Sequence, residues 1–387
     1  MLVSKRLNVV DALRGFAIVG IILVHNIEHF SLYWTPAGYP KWLKMFDKIV
    51  WDTIFYTFGG KVHVIFALLF GLTFYLQFEN ERNKGFDFRL RFFWRLILLF
   101  IIGIFNTVFY QGDILTFFAV AGLILIPFAK LNNKIVLVFA IFLLLKPFDW
   151  YQIFIGFQHP GLVPGPTTSG LLYKKAANYL WDTSMLYAWE GNLTYGKLAV
   201  THWMWETGWF LQLAGMFLLG MLAGRKSVFH DVNAKKTFWI KTFIIAFIVF
   251  IPLYLGKNTL PGWSSSELIN SSIRNLLTSW SSLAFTAMLV SGFILIYEYS
   301  FAQKKLNIFI PFGKMSLSNY VGLSILGSFL YYNYGLGLFK HLGTSLSLLV
   351  GLVTTIVFWF LSNWWLKFNS YGPVDWVWHK LTWIGKK

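Results

Sequence analysis

The chain has 387 residues, of which 57% are hydrophobic and only 13% charged, about half the charged share of an ordinary soluble domain. Its net charge of +17 comes from 33 Lys and Arg against 16 Asp and Glu; these bases sit mostly in short segments between apolar runs without a basic-aromatic motif, which points to anionic lipid headgroups and away from nucleic acid. The absence of cysteine excludes disulfides, thiolate metal sites and a cysteine nucleophile.

Apolar runs long enough to cross a bilayer recur from end to end, so the fold class expected is an all-α polytopic membrane protein forming one domain over residues 1–387. About ten transmembrane helices are predicted, near 9–30, 56–78, 92–110, 113–130, 134–151, 204–224, 237–256, 276–299, 315–337 and 345–366. Both termini are expected in the cytoplasm. That orientation puts Lys5, Arg6, Arg14, Arg82, Lys84, Arg89, Arg91 and Arg95 inside, followed by Lys130, Lys134, Arg225, Lys226, Lys235, Lys236 and Lys241. Lys304, Lys305, Lys314, Lys367, Lys380, Lys386 and Lys387 complete the inner set. No cleavable signal peptide is expected, because the first apolar run continues past His25 without a small-residue cleavage site.

The first span carries the most informative pattern. Asp11, Arg14 and His25 fall on one helical face, Arg14 and His25 about 16 Å apart along the axis. Ionisable groups at that depth mark a functional site by default. The plainer alternative is an interfacial Asp11–Arg14 pair and a packed histidine. Glu28 and His29 follow one turn later and are expected at the same outer mouth. Residues 31–55 then suggest an interfacial amphipathic helix.

Lys61 lies in the outer half of the second span at a depth similar to that of His25, with His63 on a different face. Tyr110-Gln111-Gly112-Asp113 makes a tight outer turn, where Asp113 either caps the next helix or orients His25. Residues 152–203 form a long outer segment, rich in Pro and Gly to Gly170 and amphipathic from Leu171 to Trp189. Gly215, Gly220 and Gly224 are read as close-packing positions in the sixth span. Ser316, Asn319 and Tyr320 make a polar stripe at the inner end of the ninth, serving either as interhelical hydrogen-bond glue or as part of a site. There is no phosphate loop, dinucleotide fingerprint, zinc-type His pair or nucleophile elbow, and no tandem repeat or paired broken helices are evident.

Taken together, several segments resemble the YeiB-like bacterial membrane proteins, a family built on domain of unknown function 418. They are Arg6-Leu7 with Asp11 to Ala17, Lys61 with Phe66 to Gly71, and Gly112 to Leu115. Gly220-Met221, Gly224-Arg225, Lys314 to Tyr320, Tyr331 to Phe339, and Phe368 to Trp376 continue the likeness. That family is similar to a wider group of transmembrane acyltransferases, which includes heparan-glucosamine N-acetyltransferase and bacterial sugar O-acetyltransferases. Arg14 and His25 fit the Arg and His that matter in the sugar acetyltransferases. Ser318 and Leu323 depart from the Thr and Gln usual in YeiB-like proteins, and His25 from a common Asn.

The resemblance implies a bacterial inner-membrane enzyme moving an acyl group, acetyl in the simplest case, from cytoplasmic acyl-CoA to a saccharide, glycolipid or other envelope acceptor. His25, Lys61 and Asp113 are the catalytic candidates, with His25 the general base and Lys61 the oxyanion stabiliser. Acetyl-CoA is expected at Asp11, Arg14, Arg95, Lys314, Ser316, Asn319 and Tyr320, the acceptor at Glu28 and His29, and no metal is expected. An acyl-histidine relay and direct transfer both remain open, as does a homo-oligomer. The alternative function is a proton-coupled transporter or flippase using the same buried His, Lys and Asp.

Overall fold

The computed structural model describes residues 7–36, 38–230, 232–260 and 262–384. Lys5, Arg6, Lys386 and Lys387 of the expected inner set lie outside the described residues. The described residues form helices joined by turns and loops, with no strand among them.

The chain opens with α1 (Asn8–Ile27), α2 (Lys41–Phe58), α3 (Lys61–Arg82) and α4 (Arg89–Phe109). Only Gly59 and Gly60 separate α2 from α3, so the two together make one apolar stretch of 42 residues. Gly60 there has φ +75°, a conformation that a side chain would strain. A short helix, α5 (Leu115–Gly122), follows the Tyr110 turn. Next come α6 (Asn133–Leu144) and α7 (Pro147–Gln158), then α8 (Met185–Glu206) and α9 (Trp209–Arg225). The last third consists of α10 (Lys236–Thr259), α11 (Glu267–Tyr297), α12 (Ser316–Tyr331), α13 (Thr344–Trp365) and a C-terminal amphipathic α14 (Pro373–Thr382).

Among the described residues, six helices are long and apolar enough to cross a membrane, or up to eight if each bent pair counts as one span. The expected span at 113–130 is broken instead into α5 and Leu125–Phe128, and α12 is 16 residues long. The absence of broken helices expected from the sequence is corrected here: α6 and α7 meet at 49°, α8 and α9 at 70°. The first bend follows from chemistry at the junction, because Lys146 takes a left-handed conformation and Pro147 cannot continue a hydrogen-bonded helix. The long 152–203 segment is largely helical, through Thr168–Tyr173, Ala176–Leu180 and α8.

α1 is the central element. Of its 20 residues, all but Asn8, Arg14, Phe16 and Val19 are buried, whereas α10 and α13 expose rows of Ile, Leu, Val and Phe suited to lipid. Glycines set the closest approaches. A Cβ on Gly71 would lie 1.9 Å from the Phe217 carbonyl oxygen, and one on Gly220 1.9 Å from that of Leu68, so α3 and α9 touch backbone to backbone. Gly15 and Gly313 do the same for α1 and the Ile310–Lys314 turn. These are the small-residue contacts that membrane helices use in place of a hydrophobic driving force.

Candidate functional site

Two of the three polar residues of the α1 stripe, Asp11 and Arg14, line one cavity of about 470 Å³. Asp11, Arg14, Ile18 and Ile21 form one wall, and Phe66, Phe70, Thr73 and Gln77 of α3 face them. Arg95 of α4 and Lys314, Ser316 and Tyr320 at the start of α12 close the ring, with Asp375 and Trp378 of α14 beneath. The volume lies within the roughly 300–1,000 Å³ usual for small-molecule sites.

Each polar member is held by geometry that the local sequence dictates. Arg14 Nη1 donates to Asp11 Oδ1 at 3.1 Å, one turn back, and Nη2 donates to Thr73 Oγ1 at 3.1 Å across the cavity. The Arg95 guanidinium lies 3.6 Å from the Trp378 ring centroid, and the Trp378 indole N–H donates to the Arg95 carbonyl. Asp375 caps α12 from outside, accepting from Ser318 N at 2.9 Å, Ser318 Oγ at 2.6 Å and Leu317 N at 3.3 Å. This supplies the orphan amides that Met315, the residue preceding α12, leaves without a side-chain acceptor. Ser316 and Tyr320 share the cavity face, and the Tyr320 hydroxyl reaches Ile114 N at 3.4 Å. Asn319, expected on the same stripe, turns away: it donates to the Phe312 carbonyl and accepts from Ser362 Oγ of α13, which is interhelical glue.

One turn beyond Ile21 sits His25, 5% exposed. Its Nδ1 lies 3.4 Å from Glu28 Oε2 and 3.3 Å from the Tyr110 hydroxyl, while Nε2 is buried without a hydrogen-bond partner. The Tyr33 hydroxyl donates to the other Glu28 oxygen at 3.2 Å. Glu28 is held there because α1 ends at Ile27 and the chain reverses through four left-handed residues, His29, Phe30, Ser31 and Tyr33. Non-glycine residues adopt that conformation only at a cost of about 1–3 kcal/mol each, and such strain gathers at functional sites. The fully buried Phe30 ring, 5.8 Å from His25 and 5.5 Å from Tyr110, anchors the reversal.

Three sequence candidates lie elsewhere. Lys61 is directed at the Tyr56 ring, 5.0 Å from its centroid, and it is His63 whose ring packs 6.4 Å from His25. Asp113 is engaged by Asn106 Nδ2 at 3.0 Å, by Leu115 N and Thr116 N at 3.2 Å, and by Lys197 Nζ at 3.2 Å. It caps α5 and pairs across to α8; the carboxylate against His25 is that of Glu28. His29 points away from the mouth, its Nε2 2.7 Å from Ser347 Oγ and its ring stacked on Tyr331. Tyr110 and His63 are the site residues that the sequence reading missed. Among the described residues, no three or more His, Asp or Glu are gathered so as to hold a metal ion.

Fold and site together describe a helical, multi-pass membrane protein with a basic-ended cavity running toward a buried histidine. Residues 223–385 match the family described as "Protein of unknown function (DUF418)". Nearly the whole chain aligns with bacterial relatives. It is 27% identical to "Uncharacterized protein YxaH" of Bacillus subtilis (strain 168), over 99% of this chain and 96% of that protein. It is 25% identical to the "Uncharacterized 39.9 kDa protein in amylase 3'region" of Bacillus acidopullulyticus, over 99% and 95%. To "Uncharacterized protein YeiB" of Escherichia coli (strain K12) it is 26% identical, over 96% and 95%. These matches support the DUF418 resemblance read from the sequence. No solved structure matches the chain.

Proposed function

We propose that this protein is an acyltransferase of the bacterial inner membrane, with ten passes and both termini cytoplasmic, that takes its acyl group from acyl-CoA. The observation that carries this reading is the cavity: Asp11, Arg14, Arg95, Lys314, Ser316 and Tyr320, distant in sequence, line one space whose deep end lies one turn below His25. Arg14, Arg95 and Lys314 suit the phosphates of the donor, and the apolar walls of Ile18, Ile21, Leu69 and Phe118 suit its narrow arm. With Nδ1 protonated toward Glu28, His25 Nε2 keeps its lone pair and faces no competing donor.

In the transfer, Nε2 accepts the proton of an acceptor hydroxyl or amine. The acceptor oxygen or nitrogen bonds to the acyl carbon, the carbon–sulfur bond breaks, and the proton passes to the leaving thiolate. Glu28 stabilises the imidazolium formed in between. The acceptor, a saccharide or lipid-linked envelope component, enters from the opposite face, past the Tyr33–Glu28 turn.

Calorimetry of acetyl-CoA against the detergent-purified protein tests this reading. Binding lost in Arg14→Ala and weakened in Lys314→Ala, but retained in His25→Ala, is expected. No binding of acetyl-CoA or longer acyl-CoAs to the wild type would sink it.

A second reading, a proton-coupled carrier, is favoured by the two helix breaks. They meet where the buried Lys146–Asp149 pair, 3.1 Å apart, packs under Gly208, and broken helices with buried charge are how carriers build midplane sites. Proton-driven flux without acyl transfer would select it.

A further inference from the structure

Lys61 is 7% exposed, and no carboxylate meets it. Lys257, near the end of α10, converges on the same aromatic surface: the two ammonium groups lie 5.0 and 5.8 Å from the Tyr56 ring centroid, and Lys257 is also 4.2 Å from that of Tyr254. Lys257 in turn shares a cleft with Asn258, Arg274 and Thr278. Among the described residues neither lysine nor Arg274 makes an ion pair. Of the acids on these helices, Asp52 is held by Lys48 at 2.7 Å, and Glu267 is exposed two turns from Arg274. The N-terminus of α3, which Lys61 opens, has no side-chain cap and adds its own positive end.

Three cations without a counter-ion, with a helix N-terminus behind them, repel one another, and burying one of them without a counter-charge is unfavourable. Ordinary snorkelling accounts for Lys257 and the exposed Arg274, but not for Lys61, which stays inside. In the orientation proposed above these cations also face the outer side, where the loops of membrane proteins carry few bases. What is missing is an anion.

We propose that Lys61, Lys257 and Arg274 form a binding site for a phosphate group. A phosphodiester carries one charge and a free phosphate up to two near neutral pH, and both present tetrahedrally disposed oxygens that converging ammonium groups can share. The surroundings suit a phosphate carried by a lipid. Lys257 sits near the end of α10, which exposes Leu255, Ile251 and Ile248 on another face of the same helix, and the Tyr56 and Tyr254 rings flank the head. The site stands apart from His25 and does not depend on acyl transfer.

The test uses the full chain in a zwitterionic detergent, titrated with phosphatidylglycerol and followed by native mass spectrometry, with inorganic phosphate as a second arm. Lys61→Gln and Lys257→Gln are each expected to weaken phosphatidylglycerol binding about tenfold, the usual worth of one charge-assisted hydrogen bond. Arg274→Gln gives a smaller loss, and Lys241→Gln, toward the other end of α10, gives none. Phosphate that displaces the lipid supports a shared phosphate site. Phosphate that binds where the lipid does not assigns the site to the free anion. If Lys61→Gln fails to fold, the half-buried Lys257 and the exposed Arg274 still decide the matter. Wild-type protein that binds neither probe, or binding unchanged in Lys257→Gln and Arg274→Gln, overturns the proposal.

Discussion

Replacing Gly71 with alanine sets two known effects against each other. The methyl group favours the helix by about 1 kcal/mol. Its Cβ, however, would lie 1.9 Å from the Phe217 carbonyl oxygen, 2.8 Å from its carbon and 3.0 Å from Met221 N. Those are backbone atoms, so no rotamer change relieves the clash. α3 and α9 must separate by about 1.1 Å, the gap between 1.9 Å and a tolerable 3.0 Å. A buried leucine makes roughly 40–60 atom contacts worth 0.1–0.2 kcal/mol each, and a gap of 0.5–1 Å forfeits a quarter to a half of each. If half of the contacts of Leu72 or Phe217 cross the interface, each side chain loses about 1–2 kcal/mol. With the helix gain subtracted from the two together, the net loss is about 1–3 kcal/mol, the usual range for overpacking.

Gly220→Ala strikes the same interface at Leu68, so the double variant is expected to lose clearly less than the sum, because the first alanine already parts the helices. Gly322→Ala, whose Cβ would meet only Phe358 at 3.7 Å, should be neutral or stabilising. Thermal and denaturant unfolding in one detergent, read as a rank order, checks all four. Gly71→Ala unfolding at or above wild type, or strict additivity with Gly220→Ala, would refute the reasoning.

Three further outcomes follow from individual polar contacts. Asp375→Ala removes the acceptor for Leu317 N and Ser318 N; a loss of about 1–3 kcal/mol is expected, with faster hydrogen exchange at the start of α12, and unchanged exchange would count against the cap. Arg225 donates to the carbonyls of Phe128, Ala129 and Leu131, so Arg225→Lys, a point charge in place of a fork, should recover only part of the unfolding temperature lost in Arg225→Ala. Glu28→Gln should leave acetyl-CoA affinity within about twofold while slowing acyl transfer by about 100-fold or more; equal loss of both would make Glu28 a structural residue instead.

How far the site was legible depended on which helix carried a marked stripe. On α1, charge at Asp11, Arg14 and His25 fixed the face, and the residues between them, Ile18 and Ile21, line the cavity as that phase requires. On α3 the charged Lys61 drew attention to the wrong face. The helix could have been phased by its weaker polar residues: Thr73 and Gln77 line the cavity, and stepping back by three and four through Phe70 and Phe66 reaches His63, not Lys61. Asp113 was legible as a cap because the reason is local, an acid just ahead of a helix start. Its partner Lys197 was not, since it lies 84 positions further along the chain. The two bends were also hidden. Pro147 marked one, but the other turns at Gly208, in a left-handed conformation that glycine adopts without announcing it.

Gly15, Gly71 and Gly220 of the resembling segments, and Gly313 next to one of them, gain a physical reason from the same geometry. Gly15 and Gly313 bring α1 against the turn that carries Lys314, while Gly71 and Gly220 bring α3 against α9. Arg14 lies one residue before Gly15, Lys314 one residue after Gly313, and Thr73 two residues after Gly71. In each case a backbone contact on one face of the helix fixes the position of a polar side chain on another. A cavity with apolar walls cannot hold its few cations by hydrogen bonds alone: Arg14 has Asp11 and Thr73, and Arg95 rests on the Trp378 ring. Locking the backbones that carry them supplies the remaining precision, because a displacement of 1 Å is enough to lose an oriented contact. The expected signature of that coupling is a Gly71→Ala protein that still folds but binds acetyl-CoA more weakly than its small loss of stability accounts for, through the Arg14–Thr73 bond. Affinity equal to wild type in that variant would show that the close helix contact serves stability alone.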